Sequence, residues 1–331
     1  MTVRIGINGF GRIGRSYLRA ALLSKADVAV VAINDIADAA TLASLLEWDS
    51  LSGHLDGVQV DGDTIVVAGE HIRVTSEREP SHIPWGDERV DVVIESTGRF
   101  TDSGSARQHL TAGARKVIIS APADRDVPAI VLGVNDGAID VPEDVFSNGS
   151  CTTNCLAPMA KVLHEAFGIE SGLMTTIHAY TSDQRLHDAP HSDLRRARAA
   201  ALSTIPTSSG AASTIGRIIP ELDGKLTGLS LRVPVPVGSI TDLTAQLTRP
   251  ATVEEVNEAF HTAAQTPGLS PYLAYSEAPL VSADIVGNPH SAIFDAPLTQ
   301  AIGDQVKIFA WYDNEWGFSN RLVELSQRIG T

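Results

Sequence analysis

Cysteine is scarce in this chain: Cys151 and Cys155 are the only two among 331 residues. That count excludes a secreted disulfide framework. Two thiols alone cannot build a structural zinc site either, although histidines could complete one. Long apolar runs are missing too, and none approaches the ~18 residues that span a bilayer. A strand-like segment, Val3-Arg4-Ile5-Gly6-Ile7, follows Met1 almost at once. There is no basic region, apolar stretch and small-residue cleavage site of the kind that marks secretion, so the expected location is cytoplasmic. Basic residues are outnumbered, with 25 Lys and Arg against 40 Asp and Glu, a net charge of −15. Acidity of that size works against sequence-independent binding to nucleic acid or a membrane surface. An anionic substrate would therefore need a local basic pocket.

What is present suits a soluble globular protein: 43% of residues are hydrophobic and 20% charged. The length suggests two domains. The first half alternates strand and helix patterns. Val3–Ile7, Val28–Ile33, Asp91–Glu95, Lys116–Ile119 and Ala129–Leu132 read as short buried strands, and Arg12–Leu23 as an amphipathic helix. This alternation implies an α/β domain with a doubly wound, Rossmann-type parallel sheet. After residue 150 the texture changes. A helix is expected over Thr152–Phe167, then longer strands over Leu173–Ala179, Leu229–Val235, Ile240–Leu247 and Val306–Tyr312. Period-2 alternation in Ile240–Leu247 predicts a mainly antiparallel sheet with one covered face, hence an α+β catalytic domain. Val253–Ala264 and Phe318–Ile329 read as helices. The stretch from Thr181 to Pro206 shows no convincing strand, and only Leu194–Leu202 suggests a helical turn. It carries Arg185, Arg195, Arg196 and Arg198. A loop that long is usually functional or disordered.

Asn8-Gly9-Phe10-Gly11-Arg12-Ile13-Gly14 contains Gly-x-Gly-x-x-Gly between an expected strand and an expected helix. The context makes it a dinucleotide turn. Gly9 permits the tight turn, Gly11 lets a pyrophosphate approach the backbone, and Gly14 lets helix and strand pack closely. Asp35 closes the second strand about 20 residues later, where an acid binds ribose hydroxyls and repels a 2′-phosphate. NAD is thus favoured over NADP. Ser96, Thr97, Gly98 and Ser120 end further strands, on the edge where ligands bind in such sheets.

Ser147-Asn148-Gly149-Ser150-Cys151-Thr152-Thr153-Asn154-Cys155 joins the two halves. Asn148 or Ser150 would cap the next helix and put Cys151 in its first turn. The helix dipole there lowers a thiol's pKa. Cys155, one turn on, is expected to pack as a small apolar residue. A reactive thiol beside a nicotinamide fold suits aldehyde oxidation through a hemithioacetal and a thioester, with a histidine as base. Ten histidines compete for that role, and His178 stands at the end of an expected strand.

These segments resemble the glyceraldehyde-3-phosphate dehydrogenase family along nearly the whole chain. Ser147–Cys155 is similar to its active-site signature, which usually has Ala where Gly149 stands. Ile5–Arg15 is similar to its cofactor turn, and Trp311-Tyr312-Asp313-Asn314-Glu315 to its C-terminal cofactor segment. The resemblance implies an NAD-dependent, phosphorylating oxidation of glyceraldehyde 3-phosphate to 1,3-bisphosphoglycerate, a glycolytic and gluconeogenic step. Cys151 would be the nucleophile and His178 the base. Asn8, Arg12, Ile13, Asp35, Arg78, Ser120 and Asn314 would contact NAD. Thr181 and Arg232 would hold the C3 phosphate of the substrate. Ser150, Arg196, Ser209 and Gly210 would bind inorganic phosphate, with Thr152 beside the thiol. No metal is implied. Residues 1–150, completed by a C-terminal helix over 316–331, would form the NAD-binding domain, and 151–315 the catalytic domain. The loop Thr181–Pro206 would reach a neighbouring subunit of a homotetramer.

Three further positions depart from the family's usual residues. Ser209 replaces Thr and keeps a hydroxyl. Phe318 replaces Tyr and loses a hydrogen bond near the nicotinamide. Ala189 precedes Pro190 where Leu is usual, which would relax discrimination against NADP. The competing readings are erythrose-4-phosphate dehydrogenase, which shares the Cys/His pair, and a non-catalytic binding protein, which the intact turn and thiol site argue against.

Overall fold

Short runs of valine and isoleucine, ended by asparagine, glutamate or serine, form the first sheet. The computed structural model describes residues 2–330, and they divide into two units. Unit one is 2–130, Gly137–Gly149 and 319–330; unit two is Val131–Asp136 and Ser150–Phe318.

In unit one the strands are β1 (Val3–Asn8), β2 (Val28–Asn34), a small hairpin β3 (Trp48–Asp49) and β4 (Gly53–His54), then β5 (Gln59–Asp61), β6 (Thr64–Val67), β7 (Glu70–Thr75), β8 (Val92–Glu95), β9 (Lys116–Ile119) and β10 (Val145–Ser147). The helices are α1 (Arg12–Leu23), α2 (Ala39–Glu47), α3 (Ser103–Ala106) and α4 (Gln108–Thr111). The sheet runs β10-β9-β8-β1-β2-β7-β6-β5. It is parallel from β10 to β7, and β6 and β5 extend it antiparallel. The strand order reverses between β1 and β8, the switch point at whose carboxyl edge ligands bind. Three strand ends lie level there, because Asn8 pairs with Asn34 of β2 and Glu95 of β8.

One expected strand is absent. Ala129–Leu132 is buried, but it makes only an isolated bridge from Ala129 to Ser147 and then turns, with Val131 accepting from Val134 and Asn135. Pro128 precedes the run and Gly133, at φ 83°, ends it. A short apolar run looks the same in a strand and in a buried turn. The strand at this edge is instead β10, which runs into the first residue of the cysteine motif, Ser147.

Unit two contains α5 (Cys151–Phe167), β11 (Ile169–Ala179), β12 (Ile205–Ser208), α6 (Ala211–Ile218), β13 (Leu226–Val233), β14 (Ser239–Leu247), α7 (Val253–Ala263), β15 (Leu273–Ser276), β16 (Ala292–Asp295), β17 (Gln300–Ile302) and β18 (Gln305–Tyr312). Its sheet runs β12-β13-β11-β14-β18-β16-β15, with β17 on β18. It is mostly antiparallel, but β11–β13 and β15–β16 are parallel. β14 alternates buried and half-buried along its whole length, as a sheet with one covered face requires. Gly168, at φ 71°, stops α5 and sends the chain straight into β11. Residues 181–204 are irregular apart from a short 3-10 turn over Ala200–Leu202. The last helix, α8 (Trp316–Gly330), starts in unit two and ends in unit one.

Candidate active site

Strand parity selects the site in unit two. On β11 the even residues Met174, Thr176 and His178 are buried, whereas Leu173 is exposed. His178 pairs across the sheet with Arg232 of β13. Cys151 opens α5, and Ser150 caps that helix by accepting from the Thr153 N–H at 3.0 Å. The Cys151 Sγ then lies 3.3 Å from His178 Nε2. Tyr312, at the end of β18, bonds Thr152 at 2.8 Å and Thr176 at 2.7 Å through its hydroxyl, and its ring meets His178 edge-on. It ties α5, β11 and the imidazole together. Cys155, one turn on, is fully buried, with its sulfur near Met159.

The protonation states follow from the hydrogen bonds and the burial. His178 Nδ1 is 2.7 Å from the Ala179 carbonyl, so this nitrogen carries the proton and Nε2 turns a lone pair to sulfur. An Arg232 Nη1 also approaches Nδ1 at 2.9 Å, but its hydrogens serve the Ala179 carbonyl and the Thr181 hydroxyl. Burial and then the Arg232 charge lower the pKa of His178 to about 3. Burial pushes the Cys151 thiol up, opposed by the Arg232 charge and by hydrogen bonds from Thr152. This corrects the expectation of a thiol with a lowered pKa. Desolvation works against the helix N-terminus at this thiol.

A cationic cluster adjoins the pair. Arg232 bonds Thr181 at 3.1 Å, Thr181 bonds Asp183, and Asp183 accepts from Arg196 at 2.6 Å. Thr207 accepts from Arg196 Nε at 2.9 Å. Arg232 Nε is buried and, among the described residues, has no partner. Thr181, Arg196 and Arg232 are therefore brought together, linked by Asp183, which sequence reasoning did not single out. Ser209 and Gly210 lie at the start of α6, where Gly210 is an N-cap without a side-chain cap. The Ser209 hydroxyl accepts from the Ala211 N–H at 3.3 Å.

Unit one holds a cleft of about 410 Å³ at its switch point. Of the expected residues, Asn8, Gly9, Gly11, Asp35, Arg78, Ser96 and Thr97 line it. Asn34, Glu77 and Phe100 also line it and were not expected. Arg12, Ile13, Gly98 and Ser120 are not among the lining residues, and Arg12 pairs with Asp49 at 2.5 Å. Asn314 belongs to unit two, where its Oδ1 accepts from Gly238 N–H and the Ser239 hydroxyl.

The turn fits a dinucleotide. Gly9 has φ 91°, and a Cβ there would lie 2.8 Å from the Thr97 nitrogen. A Cβ on Gly14 would lie 2.4 Å from the Gly9 carbonyl oxygen, so α1 packs on the turn only without one. A Cβ on Gly11 would meet nothing within 4 Å, so the backbone there is open to approach. Gly11 caps α1 with no side-chain hydrogen bond, and no acid occupies the first turn. The helix N–H groups stay available for phosphate. Asp35 is fixed by the Phe10 N–H at 2.7 Å and the Ala37 N–H at 3.1 Å.

A dinucleotide cleft in one unit and a thiol–imidazole pair with an arginine cluster in the other define a class: oxidoreductases that work on a substrate through a cysteine. Comparison with known proteins narrows the class. Residues 150–314 match the family model for the glyceraldehyde 3-phosphate dehydrogenase C-terminal domain, and residues 3–103 that for its NAD binding domain. The glyceraldehyde-3-phosphate dehydrogenase of Mycobacterium avium is 58% identical over 337 residues, covering all of this chain and 99% of its own. That of Mycobacterium tuberculosis (strain ATCC 25618 / H37Rv) is also 58% identical with the same coverage. Glyceraldehyde-3-phosphate dehydrogenase 2 of Streptomyces arenae is 57% identical over 336 residues, again with the same coverage. The chain belongs to the glyceraldehyde-3-phosphate dehydrogenase family and is an NAD-dependent oxidoreductase.

Proposed function

We propose that Cys151 attacks the aldehyde carbon of glyceraldehyde 3-phosphate while His178 Nε2 takes the thiol proton. The observation that carries this reading is the 3.3 Å approach of Sγ to an imidazole whose other nitrogen is bound to a carbonyl. As the hemithioacetal forms, Nε2 returns that proton to the former aldehyde oxygen, and the resulting hydroxyl gives it up to the freed Nε2 as the bound carbon is oxidised to a thioester. NAD, when bound, supplies the hydride acceptor. Arg232 and Thr181 hold the C3 phosphate of the substrate, and the unpartnered Arg232 Nε supports this. Arg196, Ser150, Ser209 and Gly210 place the inorganic phosphate that attacks the thioester, with Thr152 beside the sulfur. Asp35, Arg78, Ser96, Thr97 and the glycine turn hold NAD, joined by Arg12, Ile13, Gly98, Ser120 and Asn314.

The assignment of residues 1–150 with the helix over 316–331 to NAD binding, and of 151–315 to catalysis, draws support from the division of the chain into units. Both cysteines are free. A free nucleophilic thiol suits a reducing compartment, which supports a cytoplasmic location. No helix among the described residues is long and apolar enough to cross a membrane. The net charge of −15 supports the absence of nucleic-acid partners. A homotetramer is what the family resemblance implies, and the exposed leucines considered below support association with further copies.

The test is a stopped-flow NADH trace with and without phosphate. Without it the trace should show a burst of about one equivalent per site and then stall, as acyl-enzyme accumulates. Arsenate should relieve the stall. Arg196→Ala should raise the phosphate KM far more than the NAD KM, because a guanidinium grips phosphate through paired hydrogen bonds. Rapid steady turnover in phosphate-free buffer would defeat the phosphorylating mechanism.

A further inference from the structure

Beneath the unit-one cleft lies a buried polar chain that the reaction itself does not use. Glu95, at the end of β8, is 1% exposed; His109 on α4 is 0% and Trp85 1% exposed. Glu95 Oε2 accepts from Asn8 Nδ2 at 2.6 Å and from His109 Nε2 at 3.0 Å. Its Oε1 accepts from the Thr97 N–H at 2.8 Å and from the Thr97 hydroxyl. The Trp85 indole N–H donates to His109 Nδ1 at 3.0 Å. An indole nitrogen can only donate, so Nδ1 is an acceptor and the His109 proton sits on Nε2. Trp85 thereby fixes the tautomer, and the tautomer points a donor at Glu95.

A carboxylate with four donors is fully engaged without a cationic partner. Two of its clients, Asn8 and Thr97, line the cleft, whereas Glu95, His109 and Trp85 do not. The other end of the Asn8 amide accepts from Asn34 at 2.8 Å. Asn34 in turn binds Thr75 and both backbone groups of Glu77. Both functional ends of Asn8 are thus engaged within the protein, so its orientation is set from below. Trp85 also packs on Gly6, where a Cβ would come within 2.7 Å of the ring.

We propose that Glu95 and His109, with Trp85 behind them, are positioning residues for the cofactor: they hold Asn8 and Thr97 in the orientation that the NAD cleft requires. The proposal rests on the reading of this cleft as the NAD site. His109→Leu removes the donor to Glu95 and the acceptor for Trp85. It should weaken NAD binding about tenfold by calorimetry on the NAD-free protein. The rate at which iodoacetamide alkylates Cys151 without NAD should not change, since that thiol belongs to unit two. His109→Gln can present an amide oxygen to Trp85 and an amide N–H to Glu95, and should restore most of the affinity. Trp85→Phe frees the tautomer while keeping a ring on Gly6, and should weaken NAD binding a few-fold. It serves as the measurement if His109→Leu does not fold. Wild-type affinity in folded His109→Leu or in Trp85→Phe overturns the proposal, as does a His109→Gln protein no better than His109→Leu. Asp35→Ala is run alongside. Loss of NAD binding there but not in His109→Leu defeats this proposal alone; no loss in either defeats the cleft reading beneath it.

Discussion

At Cys151 burial and charge act in opposite directions, and His178 resolves the conflict. A thiol raised by desolvation is a poor nucleophile by itself, so a base at 3.3 Å matters more than the helix end. His178→Asn should lower kcat by ~10²–10⁴-fold, the usual contribution of a general base, with NAD affinity nearly unchanged. A variant with wild-type kcat would transfer the role to another histidine. The same imidazole leaves a mark on stability. Its pKa falls from 6.5 to about 3 on folding, so between those values the unfolded chain binds a proton that the folded chain refuses. Stability contributed at pH 7 is therefore lost as pH falls through that window, by about 2 kcal/mol at pH 5. Denaturant melts at pH 7.5 and pH 5 should show a smaller difference for His178→Asn than for wild type; equal differences would sink the assignment. In unit one, Asp35→Gly should raise kcat/KM for NADP relative to NAD, by removing an acid beside the 2′-phosphate position. An unchanged ratio would mean that Asp35 does not touch the ribose.

Among the elements, those with a local signal were legible in the sequence, and those defined by their partners were not. The Arg12–Leu23 helix emerges with the bounds read from its pattern, because the glycine turn and an apolar face mark it locally. The β5–β6–β7 edge and β10 went unread, since β5 and β7 are half polar and β10 is only three residues long. Within the site, Cys151 and Asp35 sit at recognisable element ends. Glu95 and Tyr312 also end strands, whereas Asp183 and His109 do not, and what joins all four to function is side-chain hydrogen bonding between segments, most of it far apart in sequence. The helix α7 gives a stability test free of the chemistry. Thr252 and Glu255 form a reciprocal capping box at its start, with bonds of 3.2 and 2.8 Å. Thr252→Ala should cost about 1 kcal/mol in chemical denaturation and leave kcat/KM unchanged. A loss below a few tenths would mean that solvent replaces the cap.

At the scale of the molecule, the open face of the unit-two sheet calls for a cover. On β11 Leu173 is 66% exposed, with Leu229 of β13 at 43%. The adjoining irregular segment adds Leu186, Leu194 and Leu202, each near 80% exposed. Isolated surface leucines need no explanation, but five within one unit of a chain this acidic point to association with further copies. The 181–204 segment also forms internal ion pairs, Arg198 with Asp188 and Arg196 with Asp183. These pairs give it a defined shape to present while its leucines stay outward. Light scattering coupled to size exclusion should show the homotetramer proposed from the family resemblance. Leu194→Asp combined with Leu202→Asp should yield smaller species, because each buried leucine contributes ~1.5–3 kcal/mol to an interface and a buried, unpaired carboxylate opposes it. Neither substitution touches the Cys151–His178 pair, so iodoacetamide should still label Cys151 in the dissociated protein. A wild type that elutes as a monomer, or a double variant that stays tetrameric, would refute the assembly proposed for this face.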